Sequence, residues 1–423
     1  MSDRVGGTPR PLCVAIVTQF FAPEPCAASN RLGSLARQLV EHGADVTVIT
    51  GMPSFPSGVI APAYRGAWFR RERLDGMSIE RVWTFTSSRI MSGTRVLNWA
   101  SVAAGTTLRL LLRRTPLDVL IVSSPPITLV VPALIGAFRH RAALVADIRD
   151  VFPEVAITMG MWRRESAIAR AVRFAADAFY RTARTVVCVT ESAREEIRAR
   201  HVDDGKLVVA PNGFDRVSPE GKALARRDDE FVLAYVGNMG LATGLDVVLD
   251  AARSLQADRR FRFVLVGGGA DARRLEDRTR VEGLRNVEFL GVRARADAMR
   301  ILIDADACVI PLKKEIHDSL PTKMFDAMAL GRPIVLSASG EARTLLQRAN
   351  AGIAADPENG EALAAAIREL AADPQAASRY GESGRSYVYE HYDRDRIMRN
   401  LAARIVSAGA SRVSMLVPLK EPV

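Results

Sequence analysis

Between positions 311 and 335 the chain reads PLKKEIHDSLPTKMFDAMALGRPIV. Two acids eight positions apart, Asp318 and Asp326, bracket Pro321, Thr322 and Lys323. An apolar helical run follows and is closed by Gly331 and Pro333. A polar loop that feeds a helix start offers an anion free N–H groups and the positive end of the helix dipole. Lys323 adds a point charge there, and Asp326 an acceptor for hydroxyls. The chemistry this set suits is the holding of a sugar nucleotide, diphosphate on amides and lysine, ribose on the carboxylate.

Alternating strands and helices must position these groups. Residues 12–18 (LCVAIVT) are apolar without clean alternation, as in a parallel strand buried on both faces. A helix over about 31–42, ended by Gly43, and a strand over 46–50 complete a βαβ unit. Residues 53–66 are punctuated by Pro and Gly and read as a long surface loop. Further strands are predicted at 119–122, 143–147, 185–190 and 207–210, and PNGFD (211–215) closes this half. The polar, aperiodic stretch that follows suits a linker. A second series then begins, with strands at 231–236, 261–266, 287–290, 307–311 and 334–337 and helices at 245–255 and 270–282. From 361 to about 409 the pattern is helical. At 423 residues the chain is too long for one ordinary core. Two doubly wound α/β domains are expected: 1–217, a linker at 218–230, and 231–385, then a helical crossover at 386–409 and a tail at 410–423. Ligands in such folds bind at the carboxyl ends of strands, and two facing domains place them in a cleft.

Several loops at those strand ends are candidates. Gly237, Asn238 and Gly240 follow the strand at 231–236, and Gly267 begins a glycine triplet after the strand at 261–266. Glycines there let backbone amides approach a phosphate. Neither loop has the dinucleotide or Walker spacing. In the first half, Asn30 and Arg31 stand where a helix is expected to start. They suit a phosphate or sugar hydroxyls, Arg31 through its fork of donors, or equally an N-cap with a surface arginine. Asp147, Arg149, Asp150 and Glu154 cluster after another strand, with Asp150 the best placed to meet a sugar hydroxyl. Asp304 and Asp306 form a DxD that reads as capping, and no His or Cys cluster supports a metal site. His317 abuts the acidic loop and reads as a surface histidine.

Charge is uneven. Residues 1–215 hold 27 Lys and Arg against 19 Asp and Glu; the remainder hold 31 against 29. Arginines lie beside aromatics at Trp68, Phe69, Arg70, Arg71 and Arg73 and at Trp162, Arg163 and Arg164, with a further cluster at Arg109, Arg113 and Arg114. That pattern suits either an anionic lipid surface or a plain solvated face. No nucleic-acid-binding signature accompanies it. The four cysteines form no CxxC pair, which fits a reducing compartment. The chain start lacks the apolar core of a signal peptide. Residues 119–138 are long enough to span a bilayer, but Ser123, Ser124, Pro125, Pro126 and Pro132 break them into a buried strand, a turn and a helix.

The spacing Asp318, seven residues, Asp326, followed by AMALGRP (327–333), resembles the family 4 retaining glycosyltransferases. PNGFD resembles that family's usual end of the first domain. PEPCAASNR (23–31), IRDVFPE (148–154) and LPTKMFDAMA (320–329) are similar to a bacterial subgroup of O-antigen and capsule assembly, including N-acetyl-fucosamine-type transferases. The resemblance implies a GT-B fold: two doubly wound Rossmann-like α/β domains facing across a cleft, with C-terminal helices crossing back to the first. It implies transfer from a nucleotide-diphosphate sugar, UDP-linked, to a polyprenyl-diphosphate-linked acceptor, with retention and without cofactor or metal. It also implies a chain held peripherally at the inner face of the cytoplasmic membrane through its basic first half, with no nucleic-acid partner.

By the same resemblance Asp326 binds ribose, and Thr322 and Lys323 hold the diphosphate. Gly237, Asn238 and Gly240 line the phosphate side, and Gly291 and Val292 flank the base. Asp150 and Asn30 meet donor sugar or acceptor, and Asp150, Asp318 and Lys323 carry catalysis. The chain departs from the family pattern in having Asp for both motif acids, Ala242-Thr243 in place of a phosphate-loop lysine, and Arg149 where a histidine is common. A sugar-nucleotide epimerase and a non-catalytic nucleotide-sugar binder are the other readings of the same scaffold.

Overall fold

The computed structural model describes residues 10–416 apart from 56, 88–91, 217–219, 222, 241–242 and 317. The chain divides into two compact units, one of residues 1–211 with 395–423, the other of 212–394.

The first unit is built on strands β1 (Cys13–Val17), β2 (Asp45–Gly51), β3 (Phe69–Leu74), β4 (Met77–Val82), β5 (Val119–Ser124), β6 (Ala143–Ile148), β7 (Thr185–Cys188) and β8 (Leu207–Val209). Their order in the sheet is β3-β4-β2-β1-β5-β6-β7-β8. All pair in parallel except β3 with β4. The helices are α1 (Ala27–Glu41), α2 (Ser92–Leu112), α3 (Val130–His140), α4 (Glu154–Thr158), α5 (Ala167–Thr182) and α6 (Glu191–Arg198). The central strands β1, β5 and β6 are buried along their whole length, so apolar residues need not alternate. One sheet face packs against α2, α3 and α5, the other against α1.

The second unit has β9 (Phe231–Val236), β10 (Phe261–Val266), β11 (Val287–Gly291), β12 (Ala307–Pro311), β13 (Ile334–Ser337) and β14 (Gly352–Ala355), all parallel, in the order β11-β10-β9-β12-β13-β14. Its helices are α7 (Asp246–Leu255), α8 (Ala272–Val281), α9 (Arg295–Asp304), α10 (Thr322–Ala329), α11 (Gly340–Ala349), α12 (Gly360–Ala372) and α13 (Pro374–His391). The order reverses between β9 and β12, which is where such sheets open a crevice. A last helix, α14 (Arg394–Leu416), belongs to the first unit from residue 395 onward. Its Met398, Leu401, Ala402 and Ile405 pack with α1 over the sheet.

Three local features differ from the sequence expectation. Residues 69–82, where no element was expected, form a hairpin. Its turn is Asp75-Gly76, both at positive φ (47° and 78°), the pairing a two-residue hairpin turn requires. Helix α1 starts at Ala27 with Cys26 as its cap, so Ser29 and Asn30 lie inside the helix. PNGFD is divided: Pro211 ends the first unit, and residues 212–215 fold with the second. Residues 119–138 form β5, a short turn and most of α3, and no helix among the described residues is long and apolar enough to cross a membrane.

Candidate functional site

Strands β9, β10 and β11 end side by side, each at a glycine of positive φ: Gly237 (150°), Gly267 (141°) and Gly291 (66°). The turns are knitted together. Gly237 N–H donates to Val266 O and Gly267 N–H to Gly291 O, both at 2.9 Å, and Met239 N–H donates to Gly268 O at 2.8 Å. A Cβ on Gly267 would collide with the Gly237 carbonyl, so the two backbones meet only because a side chain is missing. Asn238 is exposed at the tip, and Gly240 O accepts from Thr243 Oγ1 at 2.6 Å. Val292, 76% exposed, lies beside Gly268, where a Cβ would stand 2.9 Å from its Cγ2. An open apolar side chain next to amide-lined turns is a platform for a flat base.

Helix α10 brings Lys323 to this edge. Its Nζ donates to Tyr235 Oη at 2.7 Å and lies 4.1 Å from the centre of that ring. Tyr235 Oη donates in turn to the Asn238 carbonyl at 2.6 Å. A Cβ on Gly237 would sit 3.4 Å from Lys323 Nζ, so the glycine leaves room for the amine. Burial lowers the Lys323 pKa to about 8, the nearby Cys308 thiol acting weakly the other way. Tyr235 accepts one ammonium hydrogen, and two remain for a ligand. Thr322 is the first residue of α10, and its N-cap, Pro321, makes no side-chain cap; Met324 N–H donates to Pro321 O at 2.9 Å, and the N–H groups of Thr322 and Lys323 stay available.

Asp326 lies one turn further along α10. Arg295 Nη2 donates to its Oδ1 at 3.0 Å and stands 3.6 Å from Asp215 Oδ2. Arg394, almost fully buried, pairs with Asp215 and donates to Asn212 O (2.6 Å) and Gly213 O (2.9 Å). Burial pushes the Asp326 carboxyl above its ordinary range, opposed by Arg295 and Arg394. Asp326 Oδ2 has no hydrogen bond among the described residues, which leaves an acceptor for a hydroxyl pair. Asp318 is exposed and makes no ion pair among the described residues. Thus nine of the expected positions (Gly237, Asn238, Gly240, Gly267, Gly291, Val292, Thr322, Lys323, Asp326) gather at the ends of three strands and one helix start, and Asp318 lies outside that set. The sequence reading missed Tyr235, Arg295 and the Asp215–Arg394 pair.

In the first unit the outcome differs. Arg31 was expected to present its fork to a phosphate or sugar. It is 0% exposed, and its guanidinium makes four internal hydrogen bonds: Nε and Nη2 to Asp147 Oδ1 (3.0 and 2.8 Å), Nη1 to Ala210 O (2.7 Å) and Pro211 O (3.1 Å). It is a buried strut. Asp147 Oδ2 accepts from Ser123 Oγ (2.9 Å), and Ser123 Oγ accepts from Arg149 Nε (3.2 Å). That chain of bonds anchors the loop after β6, on which Asp150 is exposed. Asn30 is half-buried in the first turns of α1. A cavity of about 360 Å³ opens in the same unit, between Pro23-Glu24 and the 53–65 loop. Asp304 and Asp306 are tied to Arg300, Arg226 and the N–H groups of Leu224 and Val232. No metal-holding cluster exists among the described residues. His317 and Ala242 lie outside the described residues.

Known proteins resemble both units. Residues 27–213 match the family described as "Glycosyl transferase 4-like domain", and residues 230–373 match "Glycosyl transferases group 1". WcaI of Escherichia coli K12, named as a colanic acid biosynthesis glycosyl transferase, is 25% identical over 401 residues, covering 90% of this chain and 96% of that protein. LpsD of Rhizobium meliloti, named for lipopolysaccharide core biosynthesis, is 27% identical over 49% of this chain and 59% of its own length. Among solved structures, Anabaena Alr3699/HepE in complex with UDP superposes with a TM-score of 0.67 at 16% identity, over 94% of this chain and all of that one. WaaG, a glycosyltransferase involved in lipopolysaccharide biosynthesis, gives 0.66 at 15%, over 93% and 99%. Both domains are matched in order, which supports a glycosyltransferase of family 4 with the GT-B fold.

Proposed function

We propose that the protein transfers a sugar, an N-acetylated amino sugar in the closest reading of its motifs, from a UDP-linked donor to a lipid-linked glycan in surface polysaccharide assembly, with retention of configuration. The acceptor places the reaction at the cytoplasmic face of a membrane. The observation that carries the reading is Lys323, a desolvated amine held by Tyr235 against a glycine turn at the mouth of three strand ends.

In this mechanism the acceptor hydroxyl attacks the anomeric carbon on the face from which the diphosphate departs. The bond from that carbon to the β-phosphate oxygen breaks, and the hydroxyl proton passes to the departing phosphate. Charge develops on the leaving diphosphate, where Lys323 and the first-turn amides of α10 stabilise it without reorganising. Asp326 holds the ribose, and Val292 flanks the base. Asp150 holds a hydroxyl of the donor sugar or acceptor.

A thermal-shift panel of UDP- and GDP-sugars tests this. UDP-sugars should raise the melting temperature more than GDP-sugars. The effective donor should then turn over with a polyprenyl-diphosphate-linked acceptor to a product with the donor's anomeric configuration. Stabilisation by no nucleotide overturns the reading, and inversion overturns the mechanism.

A further inference from the structure

Helices α2, α3 and α5 form one layer on the first unit's sheet, α2 against α3 and α3 against α5. Their inner faces are buried, as amphipathic helices require. Their outer faces are not polar. Leu108 and Leu111 on α2, Val131, Ile135 and Phe138 on α3, and Phe174 on α5 are all exposed, Phe138 at 88% and Phe174 at 78%. Val131, Ile135 and Phe138 follow at intervals of four and three, so they make a single stripe along α3. Contiguous apolar exposure of this kind marks an interaction surface.

The charges of α2, α3 and the turns after them have nearly one sign, and on α5 the acid Asp177 is taken up by Arg200. Residues 92–141 contain six arginines and one acid, Asp118, and that acid is held by Arg10. Each of the three helices packs back between parallel strands, so all run the same way. Arg114, Arg139, Arg141 and Arg181 therefore stand together along the edge where the helices end. All four are exposed, and none makes an ion pair among the described residues. Two arginines of the 69–82 hairpin behave otherwise: Arg71 shares Glu80 with Arg109 of α2, and Arg70 pairs with Glu72. Unpaired guanidiniums beside protruding phenylalanines match a surface that is anionic outside and apolar within. Guanidinium binds phosphate bidentately, and phenylalanine enters the acyl boundary.

We infer that the outer face of the α2–α3–α5 layer docks on an anionic phospholipid bilayer, with Phe138 and Phe174 inserted and the Arg114–Arg139–Arg141–Arg181 edge on the headgroups. This deepens the reading of a lipid-linked acceptor by naming the surface that meets the membrane, and it uses no residue of the donor site.

The test is co-sedimentation of the full chain with vesicles of phosphatidylcholine alone or mixed with phosphatidylglycerol. Binding is expected to the mixed vesicles only and to weaken with salt. Arg139→Glu with Arg141→Glu should weaken it about tenfold or more, and Phe138→Asp with Phe174→Asp should abolish it. Circular dichroism and the UDP-induced rise in melting temperature serve as controls and should not change. Equal binding to both vesicle types, no binding, or undiminished binding by both variants overturns the inference. So does a dimer in sedimentation velocity that Phe138→Asp dissociates, since the face would then belong to a second copy. Vesicle binding that fails while UDP still stabilises the protein refutes this surface alone; the converse refutes the nucleotide reading alone.

Discussion

The carboxyl edges of the two sheets each hold a cation next to a loop, half-buried Lys323 in one and fully buried Arg31 in the other, and the two are used in opposite ways. In the second unit Lys323 makes one side-chain hydrogen bond, to a tyrosine, and faces a glycine turn. In the first unit Arg31 makes four, to a buried carboxylate and two carbonyls. Position at a strand end therefore says little about anion binding. What separates the two is the number of donors left over, and that number is set by neighbours far away in sequence: Asp147 lies 116 residues from Arg31.

The sharpest way to break the contrast is Arg31→Ala. It strands Asp147 in the core, and loss of one partner of a buried pair costs about 3–5 kcal/mol. Urea unfolding should show that loss, while the folded fraction keeps its affinity for UDP. If instead UDP binding falls and stability does not, Arg31 is a ligand-binding residue and the contrast is false. Lys323→Ala should do the reverse. Transfer should fall about 10²–10³-fold, the range for loss of one transition-state donor, with no loss of stability in the same urea experiment.

A gentler probe is pH. Lys323 titrates at about 8 in the folded chain, below its ordinary 10.5. The unfolded chain therefore binds the proton more tightly between those values, and stability rises with pH through that window. Donor affinity moves the other way, because the diphosphate prefers the charged amine. The dissociation constant for UDP, read by calorimetry, should climb above pH 8 by up to about tenfold per pH unit. A flat profile in the wild type would remove Lys323 from the phosphate site. The smallest effect is expected at Asp318→Asn, where both stability and UDP affinity should stay within about 0.5 kcal/mol. A larger loss in UDP affinity would restore that acid to the donor site.

The sequence was most informative where the physics is local. Buried parallel strands such as 231–236 and 261–266 are continuous apolar runs, and both expected ranges match the observed strands. Glycines after them and a lysine at a helix start were legible for the same reason. Partners brought in by the fold were not. Tyr235 sits in a buried strand and looks like core; only its hydroxyl, reached by a lysine 88 positions away, makes it part of the site. Arg295 reaches Asp326 across 31 positions. The hairpin at 69–82 was missed because FRRERL has no apolar face, although Asp75-Gly76 was a usable turn signal.

Helix α14 has a consequence for the order in which this chain can be completed. The second unit is one continuous stretch, 212–394, and all of it leaves the ribosome before the part of α14 that belongs to the first unit. The first unit begins earlier, yet the side of its sheet that α1 covers in part is completed only when Met398, Leu401, Ala402 and Ile405 arrive. Synthesis starts with the first unit, but the domain in the middle is the first able to close. Until then the nascent first unit carries an open apolar face, and a chain halted near residue 394 would keep it.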